Sequence, residues 1–474
     1  MSNTIIAGHA AAEAASTAPT EARGALAALA LSLLLASLGV SIANVALPTL
    51  AGAFAASFQE IQWVVLAYLL AITTLIVSVG RLGDIMGRRR LLLAGVALFT
   101  AASVLCGVAP TLWLLVGARA AQGLGAAILM ALTMAMVGES VPKDRTGSAM
   151  GLLATTSAVG TALGPSLGGL LIAWLGWRAV FLVNLPLGML ALVLAYRCLP
   201  GDRLKPEAER PGFDGLGTLL LALTLASYAL AMTIGRGSFG PLNLALLLAA
   251  AVGIGLFLRA EAKAASPLIR LAMFRDRLLG TGLVLNLLVM TVMMTTLVVG
   301  PFYLSQALGL DAARVGLAVT VGPAVAAVTG MPAGRLADRF GAPRMIIAGL
   351  VGIATGSFLL SLTSEAFGVA GYIVPLAVTT SGYALFQTAS NTAVLAGTRP
   401  EQRGVISGLL NLSRNLGLIT GASVMGAVFA FASAGVGPDS VAAGMRVTFA
   451  VAAGLVVAAL GVALGSRMKA VARA

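Results

Sequence analysis

The chain has 474 residues, of which 59% are hydrophobic and only 10% are charged, and its net charge is +13. Soluble domains have about 25% charged residues, so a soluble fold of this length would lack the polar surface needed to cover its core. Lipid removes that requirement, and the composition therefore predicts a membrane protein. The basic residues lie in short loops between apolar runs, which indicates topology signals rather than a nucleic-acid partner. The sole histidine is His9, which excludes histidine-based metal sites and catalytic triads, and we predict no metal site.

The predicted elements begin with residues 1–23, which show no periodic pattern and for which we expect a disordered cytoplasmic tail. A bilayer-spanning helix needs about 20 apolar residues, and fourteen such runs follow. The first six are 25–46, 61–79, 91–108, 112–137, 148–174 and 180–199. Two runs in the middle of the chain are 216–234 and 242–258. The last six are 278–300, 315–333, 345–362, 369–395, 405–430 and 447–464.

These runs predict an all-α polytopic membrane protein with two six-helix bundles. We assign residues 24–199 and 278–466 to the bundles, 200–277 to a linker with two inserted transmembrane helices, and 467–474 to a cytoplasmic tail. If the N-terminus is cytoplasmic, that side of the membrane receives 24 of the 30 Lys and Arg residues, and the opposite side receives four. This asymmetry predicts that both termini are cytoplasmic.

A charged motif occurs once in each half of the chain. GRLGDIMGRRR at residues 80–90 recurs as GRLADRFGAPR at residues 334–344, a shift of 254 residues. A single copy fits a basic loop that only sets topology, but two copies in register favour duplicated halves, a known transporter plan. We predict a gating latch built from both copies. Its residues are Gly80, Asp84, Gly87, Arg88, Arg89, Gly334, Asp338, Arg339 and Gly341.

Several of these motifs resemble those of the major facilitator superfamily. The motif at residues 80–90 resembles its signature loop, although Ile85 stands where an arginine usually follows the aspartate. LLVGARAAQGLGAA, around Arg119, resembles the fourth-span motif, and GTALGPSLGG at residues 160–169 resembles the fifth-span antiporter motif associated with exporters. IANVALP, QWVVLAYLL and GWRAVFLVNLPLG resemble the fourteen-span drug:proton antiporter branch. The resemblance implies the major facilitator fold and a proton gradient as the energy source, with no cofactor.

The fifth-span motif has the composition of a closely packed helix. Gly160, Gly164, Gly168 and Gly169 form a flat face at small-xxx-small spacing, and Pro165 permits a bend. Ordinary tight helix packing and a helix that moves during transport explain this motif equally well.

Two arginines lie inside predicted spans. Arg119 is about 10 Å and Arg414 about 14 Å along its helix from the start of its run. Each would cost about 2.5–3.5 kcal/mol unless it faces protein or water. We expect Arg119 to face the central cavity. For Arg414, a cavity role and a structural role, bonding backbone carbonyls between helices, remain open.

Acidic residues are missing from the interior of every predicted span. The resembling family usually has an aspartate in the first span, five residues before Asn44, and Gly39 occupies that place here. A cationic substrate therefore lacks an obvious counter-charge, and we infer a neutral or anionic substrate with Arg119 in its binding or coupling. The candidate substrate or coupling residues are Arg119, Gln122, Asn44, Asn286, Tyr383, Gln387, Asn391 and Arg414.

The sequence favours proton-coupled efflux of small amphiphilic drugs or metabolites by alternating access. The first alternative keeps the fold but makes the protein an importer or facilitator of a neutral or anionic metabolite. The second is a non-transporting membrane receptor. An enzyme is not expected, because the spans hold no histidine and no paired carboxylates. We further expect a monomer in the bacterial inner membrane whose partners are its small-molecule substrate and the lipid bilayer.

Overall fold

The computed structural model describes residues 2–140, 146–202, 214–234, 240–264, 267–268, 277–363, 365–396, 403–435 and 437–471. The first half contains α1 (Ser2–Ala53), α2 (Phe58–Ile61), α3 (Trp63–Met86), α4 (Arg88–Val108), α5 (Leu112–Ser140), α6 (Thr146–Leu175), α7 (Ala179–Leu182) and α8 (Asn184–Cys198). The inserted pair is α9 (Gly215–Thr233) and α10 (Pro241–Lys263). The second half contains α11 (Arg277–Phe302), α12 (Ala312–Phe340), α13 (Ala342–Ser361), α14 (Gly368–Ala396), α15 (Arg403–Thr420), α16 (Gly426–Ala432) and α17 (Pro438–Val471). Short π-helical segments extend α11 over Tyr303–Ala307 and join α15 to α16 over Gly421–Met425.

Within the described residues, fourteen helical segments are long and apolar enough to cross a membrane. This confirms the predicted number of spans and the all-helical fold class, including the inserted pair. The first helix differs from the prediction at its start. It begins at Ser2 instead of following a disordered tail, although the part apolar enough to cross a membrane begins at Arg23. The many alanines of this segment favour a helix, because alanine has the highest helix propensity.

The two halves repeat one helix crossing. In the first half α4 packs against α5, and a Cβ atom added to Gly125 would lie 2.8 Å from the backbone nitrogen of Phe99. In the second half α13 packs against α14, and a Cβ atom added to Gly382 would lie 2.6 Å from the backbone nitrogen of Ile353. Such close approach requires glycine at both positions. The duplication inferred from the sequence is therefore also visible in the packing.

The inserted helix α9 contacts both halves. The indole Nε1 of Trp63 on α3 donates a hydrogen bond to Thr233 Oγ1 on α9 over 3.1 Å. The Tyr228 hydroxyl on α9 donates to Thr420 Oγ1 at the end of α15, also over 3.1 Å. The second inserted helix, α10, packs on α9. The insertion thus covers the seam between α3 and α15 instead of forming a separate domain.

The spans have two distinct ends. Residues 80–90 and 334–344 lie at the end that we call the loop end. Helix α3 runs from the neighbourhood of Phe58 to this motif, so Phe58 lies at the opposite end of the bundle. We call that opposite end the aromatic end.

Candidate functional site

Aromatic rings join the two halves at the aromatic end. The Phe58 ring lies 4.7 Å from the Phe302 ring and 4.8 Å from the Phe429 ring, measured between centroids. Phe58 belongs to the first half, whereas Phe302 and Phe429 belong to the second. Beside them, the buried amide of Gln62 packs directly on Gly426 of α16. The halves therefore meet through a closed cluster at this end.

The fifth-span motif forms the second contact between the halves. The backbones of α6 and α12 touch where Gly169 lies against Ala312 and Gly316. The carbonyl of Pro165 lies against Gly316 as well. These positions are near the end of α6 and the start of α12, so they lie towards the aromatic end.

The remaining glycines of the motif face the other way. Gly160, Gly164 and Gly168 pack against α1, where a Cβ atom at Gly164 would lie 2.9 Å from the backbone nitrogen of Ile42. The motif thus has one face for packing within the first half and another for the contact between halves. These contacts fit tight helix packing, and movement of α6 during transport stays a prediction.

Arg119 occupies the centre of the first half. Its side chain is 1% exposed and lies 4.1 Å from the centroid of the Tyr68 ring. Its Nε donates to the carbonyl of Val64 over 2.9 Å, and its Nη1 donates to the carbonyl of Gly39 over 3.2 Å and to Gln122 Oε1 over 2.5 Å. Nη2 has no hydrogen-bond partner among the described residues.

This position corrects the expectation that Arg119 faces the central cavity. The cost of a charge in the membrane requires only that the guanidinium meet protein or water, and here carbonyls of α1 and α3 meet it. Gln122 extends the network, because its Nε2 donates to Ser103 Oγ over 2.7 Å. Arg119, Gln122 and Ser103 therefore link four helices, α1, α3, α4 and α5, around the ring of Tyr68.

No carboxylate can fill the place next to Arg119 without rearrangement. A Cβ atom added to Gly39 would lie 3.1 Å from both the Tyr68 hydroxyl oxygen and Phe99 Cζ. The Tyr68 hydroxyl itself donates to the carbonyl of Ala36 over 3.0 Å. The absence of an acidic residue at position 39 is therefore matched by the packing around it.

The first copy of the charged motif is a tight turn. Gly87, with φ of 97°, separates α3 from α4, and Asp84 forms an ion pair of 3.0 Å with Arg88. Asp202, which follows α8, accepts hydrogen bonds from the backbone nitrogens of Arg89 over 2.7 Å and Arg90 over 3.2 Å. Asp202 thus caps the start of α4 from a distant part of the chain, where a negative charge is favourable.

Arg89 adds a second anchor to this turn. Its guanidinium donates to the backbone carbonyl of Tyr196 and lies 5.5 Å from the centroid of the Tyr196 ring. Two elements of the first half, α4 and the end of α8, are therefore fastened together at the motif.

The second copy has the same turn but fewer contacts. Gly341, with φ of 85°, separates α12 from α13, and a Cβ atom there would meet only Pro343 Cδ, at 4.0 Å. Asp338 and Arg339 are exposed, and the guanidinium of Arg339 lies over the ring of Phe340. Gly334 lies beside α14, near Thr388.

Four of the remaining candidates take part in hydrogen bonds within or between helices. Asn286 on α11 donates to the carbonyl of Leu410 on α15 over 3.0 Å. Buried Asn44 donates to the carbonyl of Val40 in its own helix over 3.0 Å. Gln387 donates to Asn391 over 3.2 Å along α14. The contact of Asn286 fits a structural role.

Arg414 contrasts with Arg119. It lies on α15 within the span Gly408–Ala432, and its side chain is exposed. It interacts electrostatically with Tyr383 on α14. The sequence had left open a structural role in bonding carbonyls, and among the described residues no such hydrogen bond is found. Arg414 and Tyr383 lie on different helices of the second half, α15 and α14, and unlike Arg119 the side chain of Arg414 is exposed.

Sequence reasoning missed several residues of these sites. Asp202, Ser103 and Tyr68 were not selected, and neither was the ring cluster around Phe58 and Phe302. Each acts through a partner on another span, so its own neighbourhood in the sequence carries no signal. The sequence pointed to these sites through their charged members, such as Arg119 and Arg89, and through the position of Gly39.

Comparisons with known proteins agree with this architecture. A family model for the Major Facilitator Superfamily matches residues 29–422 and 281–472. The chain is 34% identical over 408 residues to the multidrug resistance protein Stp of Mycobacterium tuberculosis, which is 85% of this chain and 75% of that protein. It is 32% identical over 419 residues to the multidrug efflux pump LfrA of Mycolicibacterium smegmatis, covering 87% and 81%. It is 31% identical over 409 residues to the riboflavin transporter RibZ of Clostridioides difficile, covering 85% and 87%.

Solved structures show the same fold at low sequence identity. A bacterial homologue of the human lysosomal transporter Spinster, in an inward-facing and unoccupied conformation, matches with a TM-score of 0.69 and 18% identity. That match covers 94% of this chain and 97% of the other. The xylose transporter XylE from Escherichia coli, in a partially occluded inward-open conformation, matches with a TM-score of 0.63 and 14% identity, covering 93% and 96%.

Proposed function

Because the chain belongs to the major facilitator superfamily, whose members are membrane transporters and not enzymes, we propose that it exports small amphiphilic molecules by alternating access. In this proposal a proton gradient supplies the energy and no cofactor takes part. The two halves rock about a central site, and the ends of the bundle open in turn.

The observation that carries the proposal is the contact between the halves at the aromatic end. It consists of the rings of Phe58, Phe302 and Phe429 and the glycine contact of α6 with α12. Aromatic pairs contribute about 0.5–1.5 kcal/mol each beyond their buried area, so such a contact can separate and form again during each cycle. Closure at this end corresponds to an inward-facing state if the loop end is cytoplasmic.

The direction of transport rests on the fifth-span motif and on the relatives. The motif resembles that of exporters, and its Gly169 lies in the contact between the halves. Two relatives carry names of drug efflux or drug resistance proteins. A third relative, RibZ, is named a riboflavin transporter, and transport of a metabolite is therefore a second candidate function.

Arg119 supports a coupling role for the centre of the first half. A buried guanidinium is expensive without a counter-charge, and no described acidic side chain contacts it. Residues kept in the membrane at such cost are commonly functional. We propose that Arg119 acts in coupling through its contacts with Gln122 and Tyr68, and not by lining the cavity.

The remaining parts of the proposal concern location. The asymmetry of Lys and Arg supports cytoplasmic termini and therefore a cytoplasmic loop end. The bacterial relatives support the inner membrane of a bacterium. We propose that the protein carries its substrate through the lipid bilayer as a monomer, and a periplasmic adaptor stays open.

The test is transport by purified protein in proteoliposomes, with and without an imposed pH gradient. Fluorescent probes with one aromatic body and a neutral, anionic or cationic group would be compared. We expect gradient-dependent movement of at least one probe above that in empty liposomes. A rate of probe movement that is the same with and without the pH gradient would contradict proton coupling. Movement only towards the side of the membrane on which the loop end lies would contradict export.

A further inference from the structure

The exposed guanidinium of Arg414 is the starting point. Arg414 lies eleven residues beyond the start of α15, about 16 Å along the helix axis. The described acidic side chains lie elsewhere, at the two ends of the bundle. Those at the loop end are Asp84, Asp202, Asp214, Glu261 and Asp338, and those at the aromatic end are Glu60, Asp311 and Asp439. Arg414 therefore faces no fixed carboxylate of the described part of the chain.

The contacts of α15 show which way Arg414 points. Ser413 donates to the carbonyl of Leu283 on α11 over 2.6 Å, and Gly417 packs on the backbone of Leu287. Arg414 is turned by about 100° from Ser413. Its electrostatic partner Tyr383 lies on α14, and α11 contacts both α14 and α15. Arg414 and Tyr383 thus lie on two helices that both pack on α11, near enough for their charges to interact, and we take the guanidinium to lie on the side of α15 that faces α14.

In the described part of the chain, the surroundings of Arg414 are polar and carry no negative charge. Tyr383, Gln387 and Asn391 follow at intervals of four residues on α14 and therefore share one face. Asn411, one turn before Arg414 on α15, is exposed as well. One fixed cation, a phenol and three amides form a surface suited to an acid group, because guanidinium pairs with carboxylates in a fork of two hydrogen bonds.

We infer that Arg414 recognises the acid group of the transported substrate, and that the substrates are amphiphilic carboxylates. The inference deepens the proposed transport function and rests on it. Arg119 cannot take this role in the described arrangement, because it is 1% exposed and its Nε and Nη1 are bonded to carbonyl groups. In this inference the apolar body of the substrate lies on apolar side chains of α11, such as the half-buried Met293.

The experiment uses three probes with the same aromatic body: a carboxylate, its methyl ester and an amine. Uptake into proteoliposomes would be measured for the wild type, Arg414→Gln, Arg414→Lys and the control Arg446→Gln. Arg446 is an exposed arginine on α17 of the same half. The carboxylate should be the preferred probe of the wild type.

We expect Arg414→Gln to raise the KM for the carboxylate by about 10- to 100-fold, the range for losing a hydrogen bond to a charged group. The ester should be unaffected, Arg414→Lys should keep part of the preference, and Arg446→Gln should match the wild type. Equal effects of Arg414→Gln on all three probes, or a wild-type preference for the amine, would overturn the inference and leave the transport function standing. Transport of none of the probes by the wild type would overturn the proposed function and the inference with it.

Discussion

The two halves of the molecule have the same helix crossing but differ in the position of an arginine within the spans. The crossing of α4 with α5 at Gly125 corresponds to the crossing of α13 with α14 at Gly382. At the same shift of 257 residues, Arg119 corresponds to Leu376, which is buried in the second half. A buried cation in one half thus replaces an apolar side chain in the other.

The reverse exchange occurs on the helices that follow. Arg414 on α15 corresponds, at the shift of 257 residues, to Ser157 on α6. Ser157 forms a hydrogen bond of 2.8 Å with Ser37, which joins α6 to α1. Each half therefore has one arginine where its counterpart has a small or apolar residue. The two halves therefore share a helix arrangement, whereas each carries an arginine at a position that the other half fills with an uncharged residue.

The largest effect is expected when the first half is made to resemble the second at Arg119. Arg119→Leu installs the side chain of position 376. We expect transport to fall by about 5- to 150-fold, the range that coupling free energies of about 1–3 kcal/mol produce. The thermal unfolding midpoint should not fall, because an apolar side chain replaces a buried charge and the helix carbonyls keep their own backbone partners.

Transport and thermal unfolding would be measured on the same purified samples, with Arg119→Lys as the matched control. Lysine keeps the charge but cannot donate to Val64, Gly39 and Gln122 in the same geometry, so we expect partial activity. Wild-type transport by Arg119→Leu would remove Arg119 from the mechanism. A large loss of stability with proportionate loss of transport would give Arg119 a structural role only.

A second experiment tests the helix crossing that the two halves have in common. Gly125→Ala and Gly382→Ala each add a Cβ atom within 2.8 Å of backbone atoms on the neighbouring helix. We expect each to cost about 1–3 kcal/mol, as overpacking usually does. Thermal unfolding in detergent should show similar decreases for both variants. Gly454→Ala on α17 is the control, because nothing lies within 4 Å of the added atom. A decrease confined to one half would show that the two crossings are not energetically equivalent.

The symmetric frame could be predicted from the sequence, whereas the partners of the charged residues could not. Each of the fourteen apolar runs lies within a short stretch of sequence, and so does each copy of the turn, at Gly87 and at Gly341. The structure contains the fourteen spans and both turns. The surroundings of Arg119 come from three other helices, whose rotations a single sequence does not give. The cost of burying a charge predicts that the Arg119 side chain contacts protein or water instead of lipid, but it does not predict which of the two.

The third prediction concerns the Asp202 cap at the start of α4, which has no counterpart at the start of α13 among the described residues. Asp202→Ala removes the acceptor of the backbone nitrogens of Arg89 and Arg90 at the start of α4. Losing such a cap costs about 0.5–2 kcal/mol, and we expect a lower unfolding midpoint. Asp311→Ala is the matched control, because Asp311 caps α12 at the aromatic end through the nitrogen of Arg314.

Both caps should affect stability, but only Asp202 lies at the charged motif. We therefore expect a decrease in transport rate for Asp202→Ala beyond that of Asp311→Ala. Equal transport rates for the two variants would limit Asp202 to a capping role.

The smallest expected effect separates the two copies of the charged motif. Asp84→Asn breaks the ion pair with Arg88, which is about one-third exposed, and exposed pairs contribute about 0.2–1 kcal/mol. We expect a decrease of transport of only a few-fold with unchanged protein abundance, because the turn keeps its glycine and the Asp202 cap. The corresponding Asp338→Asn should have a smaller effect, since Asp338 is exposed in a turn with fewer contacts.

Initial rates of probe transport in proteoliposomes, normalised to reconstituted protein, would measure both variants. If Asp338→Asn impairs transport more than Asp84→Asn, the second copy is the latch and the better-anchored first copy is a structural element.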